Sequence, residues 1–249
     1  MYALISDLHS NIEALDAVME DMAAYPVDAV YCLGDAIGYG PNPREVLRRI
    51  RDCGFILMGN HEEGLLHYGE NFNPRARDAL LWTSAQLSSK EYPQEENFAF
   101  WQLIDALPKV ERRENAIFVH GSLRDETKDY VMPSDIADAK KMGEIWGLMD
   151  FPVCYFGHTH VPGVWTESGQ FLPPESIDHE YVVPQEKVAI NVGSVGQPRD
   201  GNNRACYVLV DGDRIIFRRV AYDYVKTMKK IVAIPELSDA LAARLRMGR

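Results

Sequence analysis

An α/β fold organised on a parallel sheet is predicted by three features of this 249-residue chain. Short apolar runs alternate with helical periodicity through the first third, turn residues punctuate the alternation, and the runs have the length of strands. Tyr2-Ala-Leu-Ile5 reads as a buried strand. After it, Ser10-Asn-Ile-Glu13 matches a capping box, in which the Ser side chain accepts a helical N–H and the Glu reaches back to the Ser amide. It predicts a helix with Ile12, Leu15, Val18, Met19 and Met22 along one face. The run Ala-Val-Tyr-Cys-Leu at 29–33 is the second strand. Asn42 and Pro43 supply an N-cap and a first-turn proline for a helix carrying Val46, Leu47 and Ile50, closed by Gly54 before a third strand at 55–58. The order β-α-β-α-β makes these strands parallel.

The stretch at about 62–107 is mainly helical. Asn73-Pro74 starts one helix, and Phe98, Trp101, Ile104 and Leu107 mark the buried face of another. A strand at 116–119, a helix at 134–149 and a strand at 153–156 follow. Strand-like runs then fall at 161–166, 181–183, 188–192, 205–210 and 214–220, with Asp211-Gly-Asp as a hairpin turn between the last two. From Tyr222 an amphipathic helical tail continues, broken at Pro235. No repeat or linker divides the chain, so residues 1–249 are expected to form one domain.

Composition narrows the function. With 37 acidic against 26 basic residues and a net charge of -11, tight sequence-independent nucleic-acid binding is not expected, because that binding is driven by Lys and Arg releasing counterions from phosphates. Cys32, Cys53, Cys154 and Cys206 stand singly without C-x-x-C spacing, which fits free thiols in a reducing cytoplasm. The N-terminus lacks a basic region before its five-residue apolar run, and no run approaches the roughly 18 apolar residues of a membrane span. A cytoplasmic location without membrane attachment is expected.

Polar motifs follow the expected strands directly: Asp7-Leu-His9, Gly34-Asp35, Gly59-Asn60-His61-Glu62, His120-Gly121 and Gly157-His158-Thr159-His160. The carboxyl ends of parallel strands form the crevice in which α/β proteins bind ligands. Five of the seven histidines sit in these motifs; only His67 and His179 lie elsewhere. Carboxylates, an amide oxygen and imidazoles together form a mixed N/O donor set that suits Mn, Fe, Zn or Ni.

The ordered blocks D-x-H, G-D, G-N-H-E, H and G-H-x-H, spanning residues 7–160, resemble the calcineurin-like metallophosphoesterase superfamily. The resemblance extends to the segment Asn191-Val-Gly-Ser-Val-Gly-Gln-Pro-Arg199-Asp, similar to small bacterial members. It implies a four-layer α/β/β/α sandwich of two mixed sheets flanked by helices. It also implies two divalent transition-metal ions: Asp7, His9, Asp35 and His160 at one, Asp35, Asn60, His120 and His158 at the other, with Asp35 bridging. His61 would stand beside the pair as general acid, oriented by Asp35 or Glu62.

A two-metal site bridges a water, lowers its pKa and neutralises phosphoryl oxygens during in-line attack. Small phosphodiesters or nucleotides, including dinucleoside polyphosphates, are therefore the expected substrates. Alternatives are a serine/threonine phosphoprotein phosphatase and a non-catalytic scaffold on the same fold. Protein phosphatases of the superfamily continue G-D with x-V-D-R-G, whereas here Gly34-Asp35 continues Ala-Ile-Gly-Tyr-Gly40, without that arginine. Arg124 and Arg199, in loops after strand-end motifs, are the replacement candidates for holding the substrate phosphate, with Tyr39 and Asn42 as possible rim residues.

Overall fold

The computed structural model describes residues 1–249. The chain opens with β1 (Tyr2–Ile5), α1 (Ile12–Met22), β2 (Ala29–Cys32), α2 (Pro43–Ile50) and β3 (Phe55–Ile56). The helical stretch is α3 (Asn60–Leu66), α4 (Pro74–Leu87) and α5 (Gln94–Asp105). Next come β4 (Val110–Arg113), β5 (Ala116–Val119), a 3-10 turn (Pro133–Ala137), α6 (Ala139–Leu148) and β6 (Val153–Phe156). β7 (Gly163–Thr166), β8 (Phe171–Leu172), β9 (Glu180–Val182), β10 (Val188–Asn191), β11 (Ala205–Asp211) and β12 (Arg214–Val220) lead to the helix pair α7 (Tyr224–Val232) and α8 (Asp239–Met247).

These strands build two six-stranded mixed sheets, ordered β3-β2-β1-β11-β12-β9 and β4-β5-β6-β10-β7-β8. In the first, β1, β2 and β3 are parallel, as the crossover pattern predicts, and β11 runs antiparallel to β1. In the second, β5, β6 and β10 are parallel. The sheets face each other across a core that includes Leu4, Leu33, Phe118, Tyr155, Ile190 and Val208. Because strand side chains alternate between faces, Ala3 and Ile5 turn the other way and pack under α1 and α2 with Leu15, Val18, Val46 and Ile50. Ile117, Cys154 and Ala189 likewise pack outward against Met142, Ile145 and Trp146 of α6. The result is the expected four layers, helix, sheet, sheet, helix.

Several local expectations shift. Asn11, not Ser10, caps α1, its side chain accepting from the Ala14 N–H at 3.2 Å. Glu13 turns away from the cap to Lys230 and Lys226 on α7, at 2.6 and 3.2 Å. Phe98 is exposed, and Phe100 takes its place beside Ile104 in the core. The third strand stops at Ile56, and β4 and β8 add short edge pairings to β5 and β7.

The helical stretch is tied to the sheet through a buried cation. Arg44 on α2, 3% exposed, donates to Gln86 O at 3.0 Å and Asn97 Oδ1 at 2.7 Å, pairs with Glu96, and lies 3.8 Å over the Tyr92 ring. Arg48 donates to the same carboxylate at 2.6 Å. Hydrogen bonds from Arg48, and against burial from Arg44, lower the Glu96 pKa to about 2 from 4.5. A carboxylate depressed in the fold contributes stability above its unfolded pKa, and that contribution is lost as pH falls through the folded one. Urea midpoints should therefore fall between about pH 5 and pH 2, and Glu96→Gln should flatten that slope. An unchanged slope in the variant would show that Glu96 does not carry it.

Candidate metal centre

The carboxyl ends of β1, β2, β5 and β6, with the start of α3 after β3, converge on one point between the sheets. Asp7 and His9 follow β1, Asp35 follows β2, Asn60 opens α3, His120 follows β5, and His158 and His160 follow β6. Asp7, His9, Asp35, His120, His158 and His160 are all buried. Three groups bring their ligand atoms within 4.8 Å of one another: Asp7, His9 and His160; His9, Asp35 and His61; and Asp35, His120 and His158. Asn60 Oδ1 lies 3.1 Å from His120 Nε2. All seven residues expected as ligands are thus brought together, and His61 stands close enough to join them.

The backbone is bent to do this. Asp7, His9, Asp35, His158 and His160 have φ of 53°, 44°, 51°, 63° and 60°, a left-handed region that costs L-residues roughly 1–2 kcal/mol each. Such strain concentrates at functional sites because the surrounding structure holds it in place. Gly59 and Gly157 are equally constrained: a Cβ at the first would strike the Asp35 carboxylate, and one at the second the Asp7 carboxylate.

Hydrogen bonds decide which ring nitrogens are free. His9 Nδ1 donates to Ile37 O at 3.2 Å, His120 Nδ1 to Leu33 O at 2.9 Å, and His160 Nδ1 to Gln197 O. A neutral imidazole carries one N–H, so each Nε2 presents a lone pair to the centre whenever its ring is neutral. His9 Nε2 and His160 Nε2 face each other at 3.1 Å, and His160 Nε2 lies 3.1 Å from Asp7 Oδ1, a buried oxygen without a donor. Lone pairs facing lone pairs in a buried place repel unless a proton or a metal ion lies between them. The donors present therefore fit metal ions, and backbone carbonyls on the far nitrogens are the usual outer support of ligating histidines.

Protons on the histidines can compensate the same carboxylates. Burial opposes ionisation of Asp7 and Asp35, yet His160 beside the first and His120 beside the second hold both well below the ordinary carboxylate value. Burial also lowers His9 and His160, lowers His158 to about 3 and lowers His61 to about 4. For His120 burial is outweighed by the Asp35 carboxylate, 3.4 Å from Nε2, and its pKa rises to about 9.

Glu62 is not a surface acid at the start of a helix. Fully buried, its carboxylate accepts from the backbone N–H groups of Asp35 at 2.9 Å, Ile37 at 3.2 Å and Gly59 at 2.9 Å. It pins the G-D loop to the G-N-H-E loop rather than contacting His61, whose own N–H donates to Asp35 Oδ1 at 2.8 Å. Glu62→Ala leaves three buried N–H groups unpaired, at about 1–3 kcal/mol each. Thermal unfolding should show a loss of about 3 kcal/mol or more together with weakened metal retention. A loss below about 1 kcal/mol would mean that the loops hold themselves.

Of the two arginines, Arg124 is engaged by Glu144 at 3.0 Å and Asp129 at 3.8 Å. Arg199 has no carboxylate partner; it donates to Gln197 Oε1 at 2.8 Å, its Nε is buried without a partner, and it lies 5.8 Å from the Tyr39 ring centre. Tyr39 packs on His9 and His61, at 4.7 and 4.4 Å between ring centres. Asn42 instead accepts from Lys230 at 2.9 Å. A cavity of about 600 Å³ opens from Asn60 and His158 along Lys128, Tyr130, Phe72 and Glu63. Tyr130 stacks on His158 at 3.9 Å. Lys128 and Tyr130 lie in a loop whose approach to the centre no local pattern announces.

A family model described as the calcineurin-like phosphoesterase superfamily domain matches residues 1–214. A protein of Methanocaldococcus jannaschii is 36% identical over 259 residues, covering 100% of this chain and 98% of its own length. The symmetrical bis(5'-nucleosyl)-tetraphosphatase of Baumannia cicadellinicola is 28% identical over 167 residues, 65% of this chain and 55% of that protein. Among solved structures, a metallophosphoesterase from Sphaerobacter thermophilus superposes with a TM-score of 0.82 at 33% identity, covering 100% of this chain and 99% of its own. A Pyrococcus horikoshii protein gives 0.77 at 17% identity, covering 100% and 98%, a likeness of fold.

Proposed function

Because this chain belongs to the calcineurin-like phosphoesterase superfamily, we propose that it hydrolyses small phosphodiesters or nucleotides, dinucleoside polyphosphates among them, at a two-metal centre. The chain is a hydrolase of phosphoester bonds, and its centre is metal-dependent; the substrate and the pair of ions are the proposed part. The observation that carries the proposal is the opposition of His9 Nε2, His160 Nε2 and Asp7 Oδ1, which a bound cation would relieve. Asp7, His9, Asp35 and His160 would hold one ion, and Asp35, Asn60, His120 and His158 the other. Bound there, the ions supply an activated water as nucleophile and neutralise phosphoryl oxygens.

The chain's own residues do the rest. The carbonyls of Ile37, Leu33 and Gln197 orient three imidazoles, and the His158 N–H donates to Asp7 Oδ2 at 3.0 Å, keeping that carboxylate in place. Arg199, which no carboxylate engages, is assigned to the substrate's phosphoryl oxygens, while Arg124 braces its loop through Glu144. His61 is assigned to the leaving-group oxygen. Burial favours its neutral ring, and the negative charge of an arriving phosphoester favours the protonated form that can donate. The named activity of the tetraphosphatase relative supports a nucleotide substrate. The four free cysteines support a reducing cytoplasm as the place of reaction, and no helix is long and apolar enough to cross a membrane.

Metal analysis of gently purified protein should find close to two transition-metal equivalents. A panel of bis-p-nitrophenyl phosphate, p-nitrophenyl phosphate, nucleotides, dinucleoside polyphosphates and phosphopeptides, run across Mn, Fe, Zn, Ni and Mg, should rank diesters and nucleotides above phosphopeptides. The reverse ranking would favour a phosphoprotein phosphatase. No metal and no activation by any ion would favour a scaffold.

A further inference from the structure

We infer that a second cavity, on the far side of Tyr39 from the metal centre, is an anion subsite that takes a second phosphate of the substrate. The preferred substrates then carry two phosphates or a polyphosphate chain; this rests on the phosphoesterase reading of the neighbouring centre. The cavity is about 410 Å³ and is lined by Tyr39, Asn73, Pro74, Arg75, Leu241 and Arg244. It shares Tyr39 and Asn73 with the 600 Å³ cavity that reaches Asn60 and His158, so the two cavities adjoin. Tyr39 is the common wall, with its ring against His9 and His61.

Charge distinguishes the two compartments. The cavity at the metal centre includes Glu63 and Glu70, whereas the second contains two arginines and no acid. In a chain of net charge -11, arginines such as Arg44, Arg48, Arg49, Arg124, Arg218 and Arg219 find carboxylates. Arg75, Arg244 and Arg199 do not, nor do Arg77, Arg204, Arg246 and Arg249; of these seven, Arg75 and Arg244 share one cavity with Tyr39. Arg199 lies 5.8 Å from the Tyr39 ring centre and Arg75 and Arg244 line the cavity beside that ring, so an anion there would meet guanidinium groups that no carboxylate neutralises. Guanidinium also matches the geometry of phosphate oxygens by paired donation.

The scaffold delivers these cations deliberately. Arg75 stands exposed in the first turn of α4. Arg244 comes from α8, which lies outside the residues 1–214 matched by the family model. Leu241 and Leu245 of α8 pack with Ile231 of α7 and Ala79 of α4, with Tyr39 against the same cluster. The C-terminal helix pair thus carries Arg244 to the rim of a centre built by the rest of the chain.

The test compares the full-length parent with Arg75→Gln/Arg244→Gln and with Arg75→Glu, a change at an exposed position that leaves the fold unburdened. Metal-loaded proteins are assayed on bis-p-nitrophenyl phosphate, which carries one anionic group, and on diadenosine tetraphosphate and adenosine 3',5'-bisphosphate, which carry more. The kcat/KM ratio of each multiply charged substrate to the nitrophenyl diester should fall about 10- to 100-fold in the variants, mainly through KM, the scale of losing charge-assisted hydrogen bonds. A fall for the tetraphosphate alone assigns the subsite to polyphosphate chains; a fall for both assigns it to any second phosphate. Independently, calorimetry with tripolyphosphate on chelator-treated protein should show binding that the variants weaken by a similar factor. Unchanged ratios with unchanged tripolyphosphate affinity would overturn the subsite. If the parent cleaves no phosphoester with any divalent ion, the phosphoesterase reading fails, while variant-sensitive tripolyphosphate binding would still uphold an anion site at Arg75 and Arg244.

Discussion

Replacing Asp35 by Asn is expected to reduce the bound metal from close to two equivalents to less than one, and turnover by at least about 10³-fold, the upper range for removing one preorganised charged group. Asp35 occupies the middle of the centre. Its Oδ2 lies 3.4 Å from His120 Nε2 and 3.8 Å from His9 Nε2, and it belongs to ligand groups on both sides. Asn keeps the shape and can still accept the His61 N–H, so the loop geometry survives and the lost charge is isolated as the cause. Asp7→Asn touches one group only and should release one ion more readily than the other. Metal analysis of both variants after identical dialysis makes the comparison. An Asp35→Asn protein that holds two ions, beside an Asp7→Asn protein that holds none, would place the bridge elsewhere.

Much of this centre was legible because parallel-strand topology turns a one-dimensional pattern into a point in space. Each polar motif follows an apolar run, and β1, β2, β5 and β6 deliver their motifs to the same sheet ends. The strain that makes the delivery possible was not legible. Nothing local to Asp7, His9 or Asp35 forecasts a positive φ; the cost is met by the Glu62 carboxylate and by carbonyls from distant loops. The same tertiary competition explains the local misreadings. Ser10 meets the capping-box pattern, but its φ of 53° belongs to the turn that places His9, so the cap passes to Asn11 and Glu13 is drawn to α7. Phe98 fits the helical period as well as Phe100 does, and only the packing of α5 against α4 decides between them.

The residues around the substrate cavities were the least readable. Arg124 and Arg199 look alike as arginines in loops after strand ends, and their difference lies in Glu144, which α6 brings to Arg124 across 19 residues of intervening chain. Tyr130, Lys128 and Arg244 reach the cavities through a loop and a helix with no motif of their own. Their positions follow from how whole elements pack, which periodicity does not encode.

Substituting His61 separates catalysis from metal binding. The family pattern places it outside the ligand set, while the geometry puts its Nε2 4.0 Å from Asp35 Oδ2, in a ligand-like group with His9, so the variant decides between two roles. Its ring is wedged between Tyr39 and Phe72, at 4.4 and 5.3 Å between centres, and its Nδ1 has no partner. That Nδ1 is packed against Gly38, so Nε2, on the side of Asp35, is the nitrogen that would meet a leaving-group oxygen. As general acid, His61→Ala should retain both ions and lose roughly 10²–10⁴-fold in kcat. The loss should depend on what departs: a nitrophenolate leaves readily without a proton and a ribose alkoxide does not. Activity on bis-p-nitrophenyl phosphate should therefore fall less than activity on a nucleotide ester. Equal losses on both, with the ions retained, would assign His61 to the phosphoryl oxygens. Loss of an ion would make it a ligand, and the proton would have to come from elsewhere.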